Sequence, residues 1–253
     1  MSKKAIGAVT FDLWDCMFCD ETDEPKRALA GLPPKKVARR QLLHEALEAE
    51  APIDRALVDL AFDTADAAFR KVWHEEFVTW TTRERVEVIL AALERSLPEA
   101  SLARVVDGIE RMEVDISPDM APGVRESLAQ LKEKYNLAVI SDAIFSPGRY
   151  LRQLLEKHDM LKYFDCFVFS DEIGKSKPHP ALFEAVANHF DIQVDEIVHI
   201  GDRPHNDIGG PHAVGARGLL LTVVKDRPLD GHVPDAVCDD YARLADVLAS
   251  MEP

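Results

Sequence analysis

Two stretches decide the fold: Gly174-Lys-Ser-Lys177-Pro178-His-Pro180-Ala-Leu-Phe183, and Ile197-Val-His199-Ile-Gly201-Asp202-Arg203-Pro-His-Asn206-Asp207. Pro180–His189 spaces its apolar residues as a helix does. Ile197–Ile200 is a short apolar strand that stops at Gly201-Asp202, and Asn206–Val214 opens another helix. Moving outward, Leu137–Ile140 is a strand ending at Ser141, Arg149–Lys157 a helix, and Cys166–Phe169 a strand ending at Ser170. Pro122–Lys134 and Arg243–Met251 read as helices, and Gly218–Val224 and Ala5–Phe11 as strands, the last ending at Asp12. Strand–helix alternation of this kind predicts an α/β fold, a doubly wound parallel sheet with right-handed crossovers.

Between Gly31 and Gly108 glycine is absent, and Val37–Ala51, Ala56–Phe77 and Arg83–Leu97 space apolar residues three and four apart among charges. This predicts an inserted block of four helices between Pro33 and Val114. The expected division is a core domain of residues 1–16 and 119–253 and a helical cap domain of residues 17–118.

Acidic residues outnumber basic ones 45 to 30 in the 253-residue chain, a formal charge of −15, and 47% of residues are hydrophobic. That balance supplies a core and repels phosphate backbones and anionic lipid, so neither nucleic acid nor a membrane is an expected partner. Monomer and homodimer both stay open. Met1-Ser2-Lys3-Lys4 leads into no long apolar run, so no signal peptide or membrane span is expected and the cytoplasm is the expected location. Cys16, Cys19, Cys166 and Cys238 are too scattered for a disulfide framework, and the Cys16–Cys19 pair reads as small apolar residues beside a strand.

Ligands of open parallel sheets collect at the carboxyl ends of the strands, where this chain carries Asp12, Ser141, Ser170 and Asp202. Each alone is an ordinary turn or cap residue. Together with Lys177 and Asp207 they suggest more. Converging carboxylates repel unless a proton or hard cation lies between them, and Mg²⁺ characteristically bridges carboxylate to phosphate. A Ser141 hydroxyl would supply a donor to phosphoryl oxygens, and a free carboxylate oxygen could attack as a nucleophile.

At this point the chain resembles the haloacid dehalogenase superfamily, in four motifs that keep the family's order. They are Val9-Thr-Phe-Asp12-Leu-Trp14-Asp15-Cys16, Ala138-Val-Ile-Ser141-Asp142, the Gly174–Phe183 stretch and the His199–Asp207 stretch. The tail Pro234-Asp-Ala-Val-Cys-Asp239-Asp240 also looks like the family's ending. The resemblance covers residues 5–16 and 119–253, and the helical block only in position and size. It implies that Asp12 is the nucleophile and, with Asp202, Asp207 and the Trp14 carbonyl, holds Mg²⁺. It also implies that Ser141 and Lys177 bind and balance the phosphoryl group of a small phosphorylated substrate. Asp142 and Arg203 are candidate substrate contacts. Mn²⁺ at the same carboxylates is a variant of this reading.

The departure from the family pattern is at Trp14. Phosphatases of the family carry a second Asp there, the general acid that protonates the leaving group, whose loss typically costs about 10²–10⁴-fold. Asp15 stands one residue too late, and on an extended backbone it faces the other way. Trp14 reads first as a packing residue under the cap. Cys16 replaces the usual Thr. Phosphoric monoester hydrolysis through an aspartyl-phosphate on Asp12 is the leading reading. A metal-independent 2-haloacid dehalogenase is an alternative, since an aromatic residue stands at that position in those relatives and an early cap arginine holds the carboxylate or halide; Arg27, Arg39 and Arg40 are the candidates. A non-catalytic or regulatory protein that binds a phosphorylated ligand is a third. His199 reads as a satisfied core histidine, and His179 and His205 lie in strand-end loops.

Overall fold

The computed structural model describes residues 4–253; residues 1–3, the first of the expected core segment, lie outside the described residues. The strands are β1 (Ala8–Phe11), β2 (Phe18–Cys19), β3 (Asp119–Met120), β4 (Asn136–Ser141), β5 (Cys166–Phe169), β6 (Ile197–Gly201), β7 (Arg217–Leu221) and β8 (Ala236–Cys238). Six of them form one parallel sheet in the order β5-β4-β1-β6-β7-β8, while β2 and β3 pair antiparallel. The chain builds outward from β1 to β4 and β5, then returns to β6 on the other side. Strand order therefore reverses at β1, the position where open α/β sheets gather ligands.

Between β2 and β3 lie α1 (Asp23–Leu29), α2 (Lys35–Glu50), α3 (Arg55–Glu76), α4 (Thr82–Ala92), α5 (Glu99–Glu110) and α6 (Met112–Asp115). The crossovers of the sheet follow: α7 (Val124–Lys132), α8 (Gly148–Lys157), α9 (Ser170–Ile173), α10 (Ala181–Phe190) and α11 (Gly210–Ala213); α12 (Leu244–Met251) comes after the last strand. Side chains of β4 alternate between the two faces of the sheet. Leu137 and Val139 pack with Phe11, Leu151 and Leu248, whereas Ala138 and Ile140 pack with Leu182, Phe183 and Val186. Helices α2–α5 enclose an apolar cluster of their own, with Leu43, Leu47, Phe62, Val86, Ile89, Val106 and Ile109 at its centre. Asp54 caps α3, and Thr81 with Glu84 closes a capping box on α4.

The α/β doubly wound sheet agrees with the sequence reading. The helical block has the four expected long helices plus the short α6. The expected strands over 5–11 and 218–224 shorten to β1 and β7, because pairing runs only as far as neighbouring strands reach; β7 ends with Leu221 opposite Cys238. The expected helix from Asn206 is instead a π-helical turn, Pro204–Gly209, followed by α11, since Gly209-Gly210-Pro211 interrupts a regular helix. Two-residue β2 and β3, α1 and the three-residue β8 carry too little periodicity to be read in advance. Among the described residues no helix is long and apolar enough to cross a membrane.

Candidate active site

Register sets the site. Phe11 pairs with Val139 on β4 and Ile200 on β6, and the Asp12 amide donates to the Ile200 carbonyl at 2.9 Å. Asp12, Ser141 and Asp202 therefore leave three adjacent strands at one edge. Asp207 returns to this edge from the π-helical turn. Its Oδ2 accepts the Arg203 amide at 2.8 Å, and a Cβ on Gly201 would stand 2.3 Å from its carboxyl group, so only glycine leaves room for it there.

Lys177 lies across two of these carboxylates, with Nζ 2.9 Å from Asp12 Oδ1 and 2.7 Å from Asp207 Oδ1. Burial alone would lower its pKa, but Asp12, Asp207 and Asp142 hold it well above the usual lysine value. Burial pushes Asp207 the other way too, yet Lys177 and His199 keep it ionised, well below the usual carboxylate range. His199 is buried, and its own pKa is lowered by burial. Since an ionised Asp207 only accepts, His199 Nε2 carries the proton it donates at 3.2 Å, and Nδ1 accepts from the Thr10 hydroxyl at 2.7 Å. The expected core histidine is thus satisfied, and it also orients an acidic residue of the site.

The acidic oxygens of Asp12, Asp202 and Asp207 come within 4.8 Å of one another. Asp202 Oδ1 is buried with no hydrogen-bond partner, while Oδ2 accepts from Arg227 Nε at 2.5 Å. Burial, with the Asp12 and Asp207 charges, raises the Asp202 pKa to about 6. An orphaned buried carboxylate oxygen facing two more carboxylates fits a hard divalent cation held by oxygen ligands. The Ser141 hydroxyl is also fully buried without a partner. Asp142 accepts the Lys177 amide at 2.9 Å and the Asn206 side-chain amide at 3.4 Å; burial raises its pKa to about 7 against the pull of Lys177.

A small cavity of about 30 Å³ opens here, walled by Asp12, Trp14, Asp142, Lys177 and Arg203 among others. Through Trp14, Ile144 and Arg203 it shares a wall with a cavity of about 290 Å³ that reaches helices α2 and α3. A larger cavity of about 680 Å³ between α4, α5 and the loop after β4 includes none of the three carboxylates. Trp14 packs beside Phe18 and lines both of the cavities nearest Asp12, so it is a wall of the site as well as a packing residue.

The extended backbone expected at Asp15 is a correction. Its φ is 52°, a left-handed turn, and its buried carboxylate is tied to Lys225 at 2.6 Å and Arg227 at 2.9 Å. Arg227 was not legible in the sequence. It lies in an irregular segment after β7, with no periodicity to mark it, yet it joins Asp15 to Asp202. Of the three cap arginines, Arg27 donates to the Pro33 carbonyl and Arg40 to Asp63 and the Asp59 carbonyl, whereas Arg39 lines the 290 Å³ cavity. His179 Nδ1 accepts the Ala181 amide, and His205 packs edge-on to His232. Among the described residues neither Cys16 nor Cys19 joins a metal-holding cluster; the Cys16 thiol donates to the Ile200 carbonyl.

Comparison with known proteins identifies relatives of the chain. Over 216 residues the chain is 26% identical to a phosphoglycolate phosphatase of Photobacterium profundum, covering 78% of this chain and 93% of that protein. Over 131 residues it is 30% identical to a glyceraldehyde 3-phosphate phosphatase of Pyrococcus furiosus, 50% of this chain; here the chain spans about half the length of the relative, 53%. In structure it resembles a 2-haloacid dehalogenase from Pseudomonas syringae pv. Tomato DC3000, with a TM-score of 0.67 and 21% identity over 97% of this chain and 99% of that one, a likeness of fold. The family model described as haloacid dehalogenase-like hydrolase matches residues 56–220, which leaves the Asp12 motif outside the match and covers well over half the chain. With its sheet, strand-end carboxylates and phosphatase relatives, the chain belongs to the haloacid dehalogenase-like hydrolases.

Proposed function

We propose that this protein is a Mg²⁺-dependent phosphoric monoester hydrolase acting on a small metabolite through an aspartyl-phosphate on Asp12. The observation that carries the reading is the convergence of Asp12, Asp202 and Asp207 around the unpartnered Asp202 Oδ1. Asp12, Asp202 and Asp207, with the Trp14 backbone carbonyl, would hold the cation. Once bound, Mg²⁺ neutralises charge between carboxylates and phosphoryl oxygens.

This chain's residues account for the rest. Lys177 lies against Asp12 Oδ1 and, being firmly protonated, balances a phosphoryl oxygen placed beside it. The free Ser141 hydroxyl donates to a second phosphoryl oxygen. Asp142 fixes the Lys177 backbone, and Arg203 offers a cation in the cavity wall. An Asp12 carboxylate oxygen attacks phosphorus as the bond to the leaving oxygen breaks. Water then attacks the aspartyl-phosphate, releasing inorganic phosphate and restoring Asp12. Position 14 supplies no proton to the departing oxygen, so aryl and acyl phosphates, whose leaving groups need none, are favoured over alkyl esters. The helical block, held to the loop after β4 by Arg85 on the Ile144 carbonyl at 2.8 Å and Thr82 on the Phe145 carbonyl at 2.9 Å, would act as a cap that keeps bulk water out.

Phosphate release from a panel of aryl, acyl and alkyl phosphates, with and without Mg²⁺, tests this. Release that requires Mg²⁺ is the expected result. No release from any ester overturns the reading, and halide release from 2-haloacids without metal would replace it.

A further inference from the structure

Every carboxylate of the strand-end trio has an oxygen engaged by a donor of the protein. Lys177 Nζ holds Asp12 Oδ1. Asp207 Oδ1 is met by Lys177 and His199, and its Oδ2 by the Arg203 amide. Asp202 Oδ2 is held by Arg227 Nε, which leaves Oδ1 as the oxygen without a partner. Of these donors, Arg227 alone comes from residues 222–235, the irregular segment between β7 and β8.

The Arg227 side chain is partly exposed, so its place depends on what fixes its far end, and Asp15 does so. Nη2 donates to Asp15 Oδ2 at 2.9 Å while Nε reaches Asp202 at 2.5 Å, and one planar group spans two carboxylates. Lys225 comes to the same Asp15 oxygen at 2.6 Å, and the Asp20 amide donates to the other at 3.1 Å. Asp15 is buried in its left-handed turn with both oxygens taken. It stands three residues after Asp12, so this strap ties the loop of the attacking carboxylate to the loop of Asp202. Neither Asp15 nor Arg227 lines the two cavities nearest Asp12, so neither is placed to contact substrate.

The size of the cation decides what the strap does. Mg²⁺ takes single oxygens in a near-octahedral shell at about 2.0–2.1 Å and keeps waters. Ca²⁺ takes about six to eight oxygens at about 2.3–2.6 Å and accepts both oxygens of one carboxylate. A carboxylate whose second oxygen is held by a charged donor offers one oxygen without rearrangement. That suits the smaller ion and denies the larger one part of its shell.

We propose that Arg227, anchored by Asp15, is a positioning residue that limits Asp202 to one ligand oxygen and so makes the site discriminate against Ca²⁺ in favour of Mg²⁺ or Mn²⁺. This rests on the reading of a Mg²⁺ site at these carboxylates and assigns the residues that set its selectivity. Charge alone predicts something else. Removing a positive charge beside a dication strengthens Mg²⁺ and Ca²⁺ binding alike, since the two ions carry the same charge. The ratio of the two affinities therefore reports geometry.

The test is calorimetric titration of the full chain with Mg²⁺, Mn²⁺ and Ca²⁺ at one mildly alkaline pH, without substrate. The native protein is expected to prefer Mg²⁺ over Ca²⁺ by about tenfold or more. Arg227→Gln should cut that ratio about tenfold, chiefly through tighter Ca²⁺ binding. Arg227→Lys keeps the charge without the planar fork, and Asp15→Asn keeps Arg227 while weakening its anchor; each should cut the ratio about threefold. Thermal melts without metal show that each variant folds, and the substitutions fail independently. Affinities for both ions that rise together in Arg227→Gln, with their ratio held, overturn the proposal and leave Arg227 a counter-ion only. Affinities that fall together with the ratio held overturn it as well, and so does a native protein that binds both ions equally. Mg²⁺-dependent phosphate release with an unmoved ratio keeps the hydrolase reading and sinks the strap. A moved ratio without release from any ester keeps the strap and sinks the hydrolase reading. No binding of either ion to the native protein overturns the strap, and without phosphate release the hydrolase reading too.

Discussion

Lys177 and Arg39 are both buried cations, one at the strand ends and one in the helical block, and their surroundings differ. Lys177 has Asp12 at 2.9 Å and Asp207 at 2.7 Å, and behind Asp207 stand His199 and Thr10. Arg39 has an aromatic ring and a carboxylate 3.9 Å away. A charge surrounded by its own counter-ions is part of built-in machinery that acts the same way on every substrate. A charge set against an aromatic ring, with its carboxylate beyond hydrogen-bond distance, has no such set of counter-ions. The strand-end region thus neutralises its buried cation from within, and the helical region does not.

The largest effect expected is on the strand-end side. Asp12→Asn removes the attacking oxygen while keeping the shape, and phosphate release should fall by about 10⁴-fold or more. Residual turnover within tenfold of native, measured by phosphate release at saturating Mg²⁺, would mean that another group attacks.

Stability then separates the two cations directly. Lys177→Ala leaves Asp12 and Asp207 facing each other without their shared cation and should cost about 3–5 kcal/mol in urea unfolding. Mg²⁺ should restore part of that loss, because it enters the same carboxylates. Arg39→Gln, by contrast, relieves a charge that has no acceptor and should change stability by no more than about 1 kcal/mol. Equal losses in the two variants would erase the distinction between a buried cation with counter-ions and one without.

The strand-end half was the legible half. Asp12, Ser141, Lys177, Asp202 and Asp207 stand at the ends of strands or in short loops anchored to them, so chain order and strand register place them together. The doubly wound sheet itself followed from alternating apolar runs. What stayed hidden depends on tertiary placement. Arg227 reaches Asp202 and Asp15 from an irregular segment, and a left-handed turn at Asp15 defeats any rule based on extended strands. Arg39 could be shortlisted with Arg27 and Arg40, but nothing local distinguishes them, since each arginine's partners come from elsewhere in the chain. Trp73 is similar: on a helix it reads as core, and only the cavity beside it shows that its N–H is unanswered.

Trp14 stands where the two regions meet, and Trp14→Asp tests whether the chemical half lacks a proton donor. Restoring a carboxyl group should raise kcat/KM for alkyl phosphates by about 10²-fold and leave aryl phosphates nearly unchanged. A leaving-group series read in both proteins would show this as a flattened dependence in the variant. If alkyl and aryl esters respond alike, Trp14 acts as a wall and the proton comes from another group.

The smallest effect concerns the joint between the regions, where Glu110 of α5 pairs with Arg149 of α8 and is buried beside it. Burial outweighs that partner and raises the Glu110 pKa from 4.5 to about 6. The folded chain therefore keeps this proton where the unfolded chain has already lost it. Below pH 4.5 both states hold the proton, and the contribution of the neutral form is fully present. It is lost as pH rises to about 6, and above that the contribution is flat. Glu110→Gln holds the neutral form at every pH. Its urea-unfolding free energy, compared with that of the native protein, should gain about 1 kcal/mol between pH 4.5 and pH 7. Parallel profiles would show that Arg149 fully compensates the buried carboxylate, making this joint resemble Lys177 in its completeness rather than Arg39 in its want of a partner.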